Sequence, residues 1–226
     1  MSIMRKLNIN FLNYFAAFLM ALLLPLSACD DDDDAEPSNG DGDDNGGNNG
    51  VEKWEPYDFQ DHTSATMTYE FEFQDDGENV LSGTSTIEIE DPAVTVTIIT
   101  NGEESVFSSN SHDNIEDNFS QVVNQSPYLG GILFGGSYPL IFDDQELYVG
   151  ASWSMNFDNN SIDLEITGKE TYAGVEGYLA EYTFENEEGR IATYDICVNP
   201  EVPLPLMIEM QEEQDYYHLV MTNYEN

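Results

Sequence analysis

Thr66-Met67-Thr68-Tyr69-Glu70-Phe71-Glu72-Phe73-Gln74 carries an apolar residue at every second position. Successive side chains of a strand point to opposite faces, so this pattern predicts a strand with one buried face and one wet face. Moving outward, Asp75-Asp76-Gly77 supplies a turn, and Thr86-Ile87-Glu88-Ile89-Glu90 repeats the alternation. Asp91-Pro92 interrupts it, and residues 93–100 resume it through Val94, Val96 and Ile98. Asn101-Gly102 is a hairpin signal because both residues accept positive φ, and 105–109 is the return strand. The first half therefore reads as an antiparallel meander.

The second half is read the same way. Strands are expected at 152–157, 161–168, 177–185, 190–198, 204–210 and 216–224, with Asn186-Glu187-Glu188-Gly189 as a turn. Pro203 and Pro205 flank Leu204, which suits a sheet edge or a strand start, where a missing N–H is tolerated. Between the halves, Ile115, Phe119, Val122 and Val123 share one helical face. Asp113 or Asn114 offers an N-cap and Pro127 a stop, so one helix is expected over 112–125, packed on the sheet. The fold class is mainly β: an antiparallel curved sheet or half-barrel of about 8–10 strands with that helix. The alternative is a β-sandwich.

After the helix comes an uncharged, aromatic, glycine-rich stretch, Tyr128-Leu129-Gly130-Gly131-Ile132-Leu133-Phe134-Gly135-Gly136-Ser137-Tyr138. Two readings are open: a ligand-contacting loop through Tyr128, Leu129, Ile132, Leu133, Phe134 and Tyr138, or a buried connection under the sheet. It is not a phosphate loop, since the Lys-Ser/Thr pair is absent.

Charge excludes several partners. The chain has 45 Asp and Glu against 5 Lys and Arg. No acidic residue precedes Cys29, whereas Arg5 and Lys6 do. Beyond residue 28 only Lys53, Lys169 and Arg190 remain basic. Nucleic acid is not an expected partner, because phosphate binding needs a basic stripe. Anionic headgroups are disfavoured for the same reason. Self-repulsion on this scale predicts higher stability in added NaCl or Ca²⁺.

The N-terminus has Arg5 and Lys6, then a largely apolar run over 11–24, then small residues. That is the order of a secretory signal, and the run is shorter than the ~20 residues of a membrane span. Leu26-Ser27-Ala28-Cys29 resembles the lipobox of bacterial lipoproteins. The resemblance implies removal of residues 1–28 and acylation of Cys29, which would hold a soluble domain on a bilayer. The following Asp30-Asp31-Asp32-Asp33-Asp34 resembles the acidic export signal of Bacteroidota surface lipoproteins, implying the outer membrane and the cell surface. In enteric bacteria an Asp after the Cys resembles an inner-membrane retention signal instead. A second resemblance rests on Gly174-Val175-Glu176-Gly177-Tyr178, residues 194–198 and Pro203-Leu204-Pro205-Leu206. These are similar to hairpins of periplasmic lipoprotein carriers and related half-barrel domains, which implies a curved sheet around an apolar cavity.

The expected organisation is a signal peptide (1–28), a lipidated acidic tether (29–52) and one β-rich domain (53–226). The tether is too polar to bury surface that would offset its ordering entropy. Asp41, Asp43, Asn45 and Glu52 fall at the spacing of a calcium loop. With no flanking helix pattern, the expectation is weak, diffuse Ca²⁺ association and no other cofactor. Cys197 lies in an apolar strand and reads as a small buried hydrophobe. His62, His112 and His218 read as ordinary polar residues. The catalytic patterns Gly-x-Ser-x-Gly, His-Glu-x-x-His and Cys-x-x-Cys are absent, so no enzyme is expected. What remains is a non-catalytic binding or carrier domain for a lipid or other apolar molecule. The alternatives are a structural or adhesive surface protein with a filled core, and a Ca²⁺-associated acidic surface protein.

Overall fold

A computed structural model of the chain describes residues 52–54, 64–74, 80–125, 142, 145–157, 160–185, 191–212 and 215–226. In chain order the strands are β1 (Glu52–Lys53), β2 (Ser64–Gln74), β3 (Leu81–Glu90), β4 (Ala93–Thr100) and β5 (Glu103–Ser109). Helix α1 (Ile115–Gln125) follows, then β6 (Glu146–Leu147), β7 (Ser152–Phe157), β8 (Asn160–Tyr172) and β9 (Val175–Glu185). The chain continues with β10 (Ile191–Val198), β11 (Met207–Glu212) and β12 (Asp215–Glu225). These elements lie in one compact unit, Val51–Asn226.

Ten strands form a single antiparallel sheet in the order β5-β4-β3-β2-β12-β11-β10-β9-β8-β7. Two meanders meet where β2 pairs with β12, Phe71 standing opposite Leu219. The sheet is mainly β as expected, and because it is one sheet the sandwich alternative falls away. It is strongly curved. Cα atoms of β8 and β12 approach within 8 Å although three strands separate them; at ~4.8 Å per strand a flat sheet would hold them about 19 Å apart.

One face of the sheet is apolar almost throughout. In β2 the residues Ala65, Met67, Tyr69 and Phe71 are buried while Glu70 and Glu72 are exposed. Neighbouring strands add Ile87, Ile89, Val94, Val96 and Ile98 on one side and Tyr217, Leu219 and Met221 on the other. Gly83 belongs to this face: a Cβ there would meet the Ile99 carbonyl oxygen at 2.3 Å and Phe71 Cζ at 2.9 Å. The Phe71 ring thus occupies the space a side chain on β3 would need.

Helix α1 packs on β4 and β5 through buried Ile115, Phe119 and Val122. It begins three residues later than expected, and Asn114 is the cap: its Oδ1 accepts from the Asp117 N–H at 3.0 Å. Asn118 ties the helix down. Its amide donates to the carbonyls of Pro92 and His112, both at 2.8 Å, and its Oδ1 accepts from the Ser109 hydroxyl at 2.7 Å and the His112 N–H at 3.2 Å.

Several strands run beyond their expected ends. β8 and β9 continue to a hairpin at Ala173-Gly174, both at positive φ. A register shift between Ile166 and Gly168 flips the alternation of β8 before that hairpin. β11 starts at Met207 rather than at Leu204, and it lies between β10 and β12, so of a sheet edge and a strand start the two prolines mark the approach to a strand start. Residues 202–206 precede it as a buried turn whose Pro205 carbonyl accepts from the Tyr69 hydroxyl at 3.1 Å. The pairing of β1 with β6 had no counterpart in the sequence reading.

Candidate ligand face on the curved sheet

Strand register sets a single row of side chains across the apolar face. Trp153 stands opposite Leu164, Leu164 opposite Tyr182, and Tyr182 opposite Tyr194. The row continues through Met210, Tyr217, Phe73 and Leu81. Four members are buried: Leu164, Tyr182, Met210 and Tyr217. Trp153, Tyr194, Phe73 and Leu81 are half-buried. Nearer α1 the same face is closed, with Val94, Val96, Ile87 and Met67 at or near zero exposure. The apolar face is therefore sealed at the helix side and meets solvent along this aromatic row.

The row has internal order. The Tyr182 and Tyr194 rings meet edge-to-face with centroids 5.5 Å apart. Trp153 meets the Phe142 ring at 5.4 Å, and Phe142 meets Trp54 at 5.2 Å. Trp54 is fixed by its backbone N–H, which donates to the Gln145 carbonyl at 2.9 Å.

Among the described residues the buried hydroxyls of Tyr217, Ser85 and Tyr224 on this face have no hydrogen-bond partner, with Tyr217 in the row, Ser85 on β3 opposite Tyr69 and Tyr224 opposite Met67. A buried polar group left unpaired costs about 1–3 kcal/mol. Burial raises the Tyr217 pKa above the ordinary tyrosine value, so the group stays a protonated donor at neutral pH. Burial, and then the neighbouring Tyr194, does the same for Tyr182.

At the rim of this face, Lys169 Nζ lies 4.4 Å from the Tyr178 ring centroid and 3.1 Å from Glu176 Oε1. The Glu176 hydrogen bond is the main reason its pKa is raised. The opposite, wet face is acidic. Glu165, Glu181, Asp195 and Glu209 stand directly opposite one another on four adjacent strands. His218 follows opposite Glu209, its Nδ1 3.1 Å from Glu209 Oε2.

No family model matches this chain, and no curated protein matches it. Among solved structures, the crystal structure of MucB overlaps 73% of this chain and 53% of its own, with 8% identity and a TM-score of 0.32. The chain thus spans about half the length of that structure. Nothing about ligands or partners follows from a superposition of that quality.

The expected site residues divide as follows. Cys29, Asp41, Asp43 and Asn45 lie outside the described residues, as do Tyr128, Leu129, Ile132, Leu133, Phe134 and Tyr138, and His62. Glu52 is placed in β1 opposite Leu147. Among the described residues no group of three or more His, Cys, Asp or Glu is arranged to hold a metal ion. Cys197 is fully buried, and burial pushes its thiol up to about 12. A thiol held in that state is a packing residue rather than a nucleophile. The sequence reading missed the aromatic row as a unit. Its members were legible as alternating strand residues, but only the register between strands far apart in sequence aligns them.

Proposed function

We propose that this chain is a non-catalytic binding or carrier domain of the cell envelope, taking an apolar ligand against the aromatic row of its curved sheet. The observation that carries this reading is the row itself, where Trp153, Tyr194, Phe73 and Leu81 are half-buried while the apolar face nearer α1 is closed. An apolar ligand would cover these half-buried aromatic and aliphatic side chains, the usual lining of a small-molecule site. Acylated Cys29 would hold the domain at the outer membrane, facing the cell surface, with the acidic tether as spacer. No helix among the described residues is long and apolar enough to cross a membrane.

A second reading has its own support. The face is closed near α1 and around the turn before β11, where Val202, Leu204 and Leu206 are buried. That favours a surface-interaction protein with a filled core. Titration with the neutral probe N-phenyl-1-naphthylamine separates the two. Carrier function predicts saturable fluorescence that falls at least about tenfold in affinity for Leu81→Glu, a charge placed on the row, with little change for Glu88→Gln on the wet face. A filled core predicts no saturable signal in either chain.

A further inference from the structure

Small or polar residues close two of the hairpins: Asn101-Gly102 between β4 and β5, and Ala173-Gly174 between β8 and β9. That is the usual choice for a surface turn. Between β6 and β7 the exposed residues are instead Tyr148 and Val149, at 48% and 56% exposure. Among the described residues they are the only exposed large hydrophobic residues adjacent in sequence. Their backbone is fixed. The Ala151 N–H donates to the Tyr148 carbonyl at 2.9 Å, and Gly150 has φ 93°, the form of a type II turn. The Gly150 N–H donates to the Ile166 carbonyl at 2.7 Å and the Ile166 N–H to the Ala151 carbonyl at 2.8 Å, so β8 holds the turn in place.

Position points to the partner. Glu52 stands opposite Leu147, the residue before Tyr148, and from Glu52 the chain runs back to Cys29 through 22 residues. The residue proposed as anchor is therefore joined to the domain beside this turn. Trp153, the end member of the aromatic row, follows four residues after Val149. Its ring meets Phe142, which meets Trp54 just past β1. Exposed Val106 lies on β5, at the opposite edge of the sheet from β7.

We infer, on the anchored-carrier reading above, that the Tyr148-Val149 turn is a membrane-contacting tip. It seats in the headgroup region of the bilayer that carries the anchor and brings the Trp153 end of the aromatic row to that surface. A tyrosine suits such a place, with an apolar ring and a polar tip. Two side chains make a weak contact by themselves. A domain joined to a bilayer meets that bilayer at high effective concentration, which populates a contact too weak for a free partner. Charge narrows the lipid: Glu146 is exposed two residues before Tyr148 and the chain is formally −40, so the surface it seats on is zwitterionic rather than anionic.

Quenching by brominated lipid tests this on the full chain. Tyr148→Trp places an indole on the turn, and Val106→Trp places one at a comparably exposed position on the far edge. Each chain is reconstituted in vesicles of phosphatidylcholine with brominated acyl chains, and quenching is read against the parent, whose Trp54 and Trp153 set the baseline. Tyr148→Trp is expected to lose at least about twice the fraction of emission that the parent loses, and Val106→Trp no more than the parent. Adding Val149→Asp to Tyr148→Trp puts a charge on the turn and should return quenching to the parent level. Equal quenching of Tyr148→Trp and Val106→Trp, no effect of Val149→Asp, or quenching that requires phosphatidylglycerol would each overturn the tip and leave the anchor standing. A parent chain that floats with vesicles no better than Cys29→Ala would overturn the anchor and the tip together.

Discussion

Asn118 shows how much one side chain can organise. It has zero exposure, and its amide and carbonyl groups make four hydrogen bonds to β5, to the β3–β4 turn and to the chain entering α1. Alanine at this position would leave the Pro92 and His112 carbonyls and the His112 N–H short of a partner, while the Ser109 hydroxyl keeps Gln121 Oε1. Asn118→Ala should lower the unfolding free energy by about 2–4 kcal/mol, measured by urea denaturation followed through Trp fluorescence. Nothing in the sequence marked this residue. It sits on a helix among other polar residues, and its partners come from three separate segments. Cys197 was legible, because an apolar strand with a single thiol has few other uses. Tyr217 was legible as a strand residue but not as a donor without a partner, since that depends on what the neighbouring strands fail to supply.

At the scale of elements, alternation identified the strands, and local chemistry explains where it misled. Beyond Ile166 the bulge in β8 flips which residues face inward, so Lys169 to Tyr172 lose the period-two signal although the strand continues. Leu204, Leu206 and Ile208 alternate like a strand, but two prolines without N–H groups cannot serve an internal ladder, and β11 begins only after them. The first half of β3 was hidden because Gly83 and Ser85 stand where apolar residues are expected. The wet face of the sheet makes its own prediction. Burial first, then Glu181, Glu209 and Glu170, raise the Asp195 pKa above the usual aspartate value. The folded state therefore holds this proton more tightly than the unfolded chain, and ionising Asp195 weakens the fold as pH rises past the ordinary aspartate range. Asp195→Asn should stabilise the protein at pH 7 by up to about 1 kcal/mol, the scale of directly opposed cross-strand charges. The gain should vanish below about pH 4. Paired urea titrations of both chains at pH 7 and pH 3.5 measure it.

For the whole molecule, two meanders joined at β2 and β12 make one curved sheet with a closed end under α1 and an aromatic row at the other. Meander order follows from local turns; the seam between Phe71 and Leu219 bridges most of the domain and had no local signal. The same curvature gathers the apolar side chains on one face and leaves the acidic ladder on the other. The contrast is between a charged exterior and an apolar face that meets solvent along the aromatic row. Native mass spectrometry of the full chain examines the proposed carrier function most directly. A carrier domain predicts a bound species of lipid mass that is retained by the parent chain and lost in Leu81→Glu. A parent chain that carries no bound species of lipid mass would contradict it.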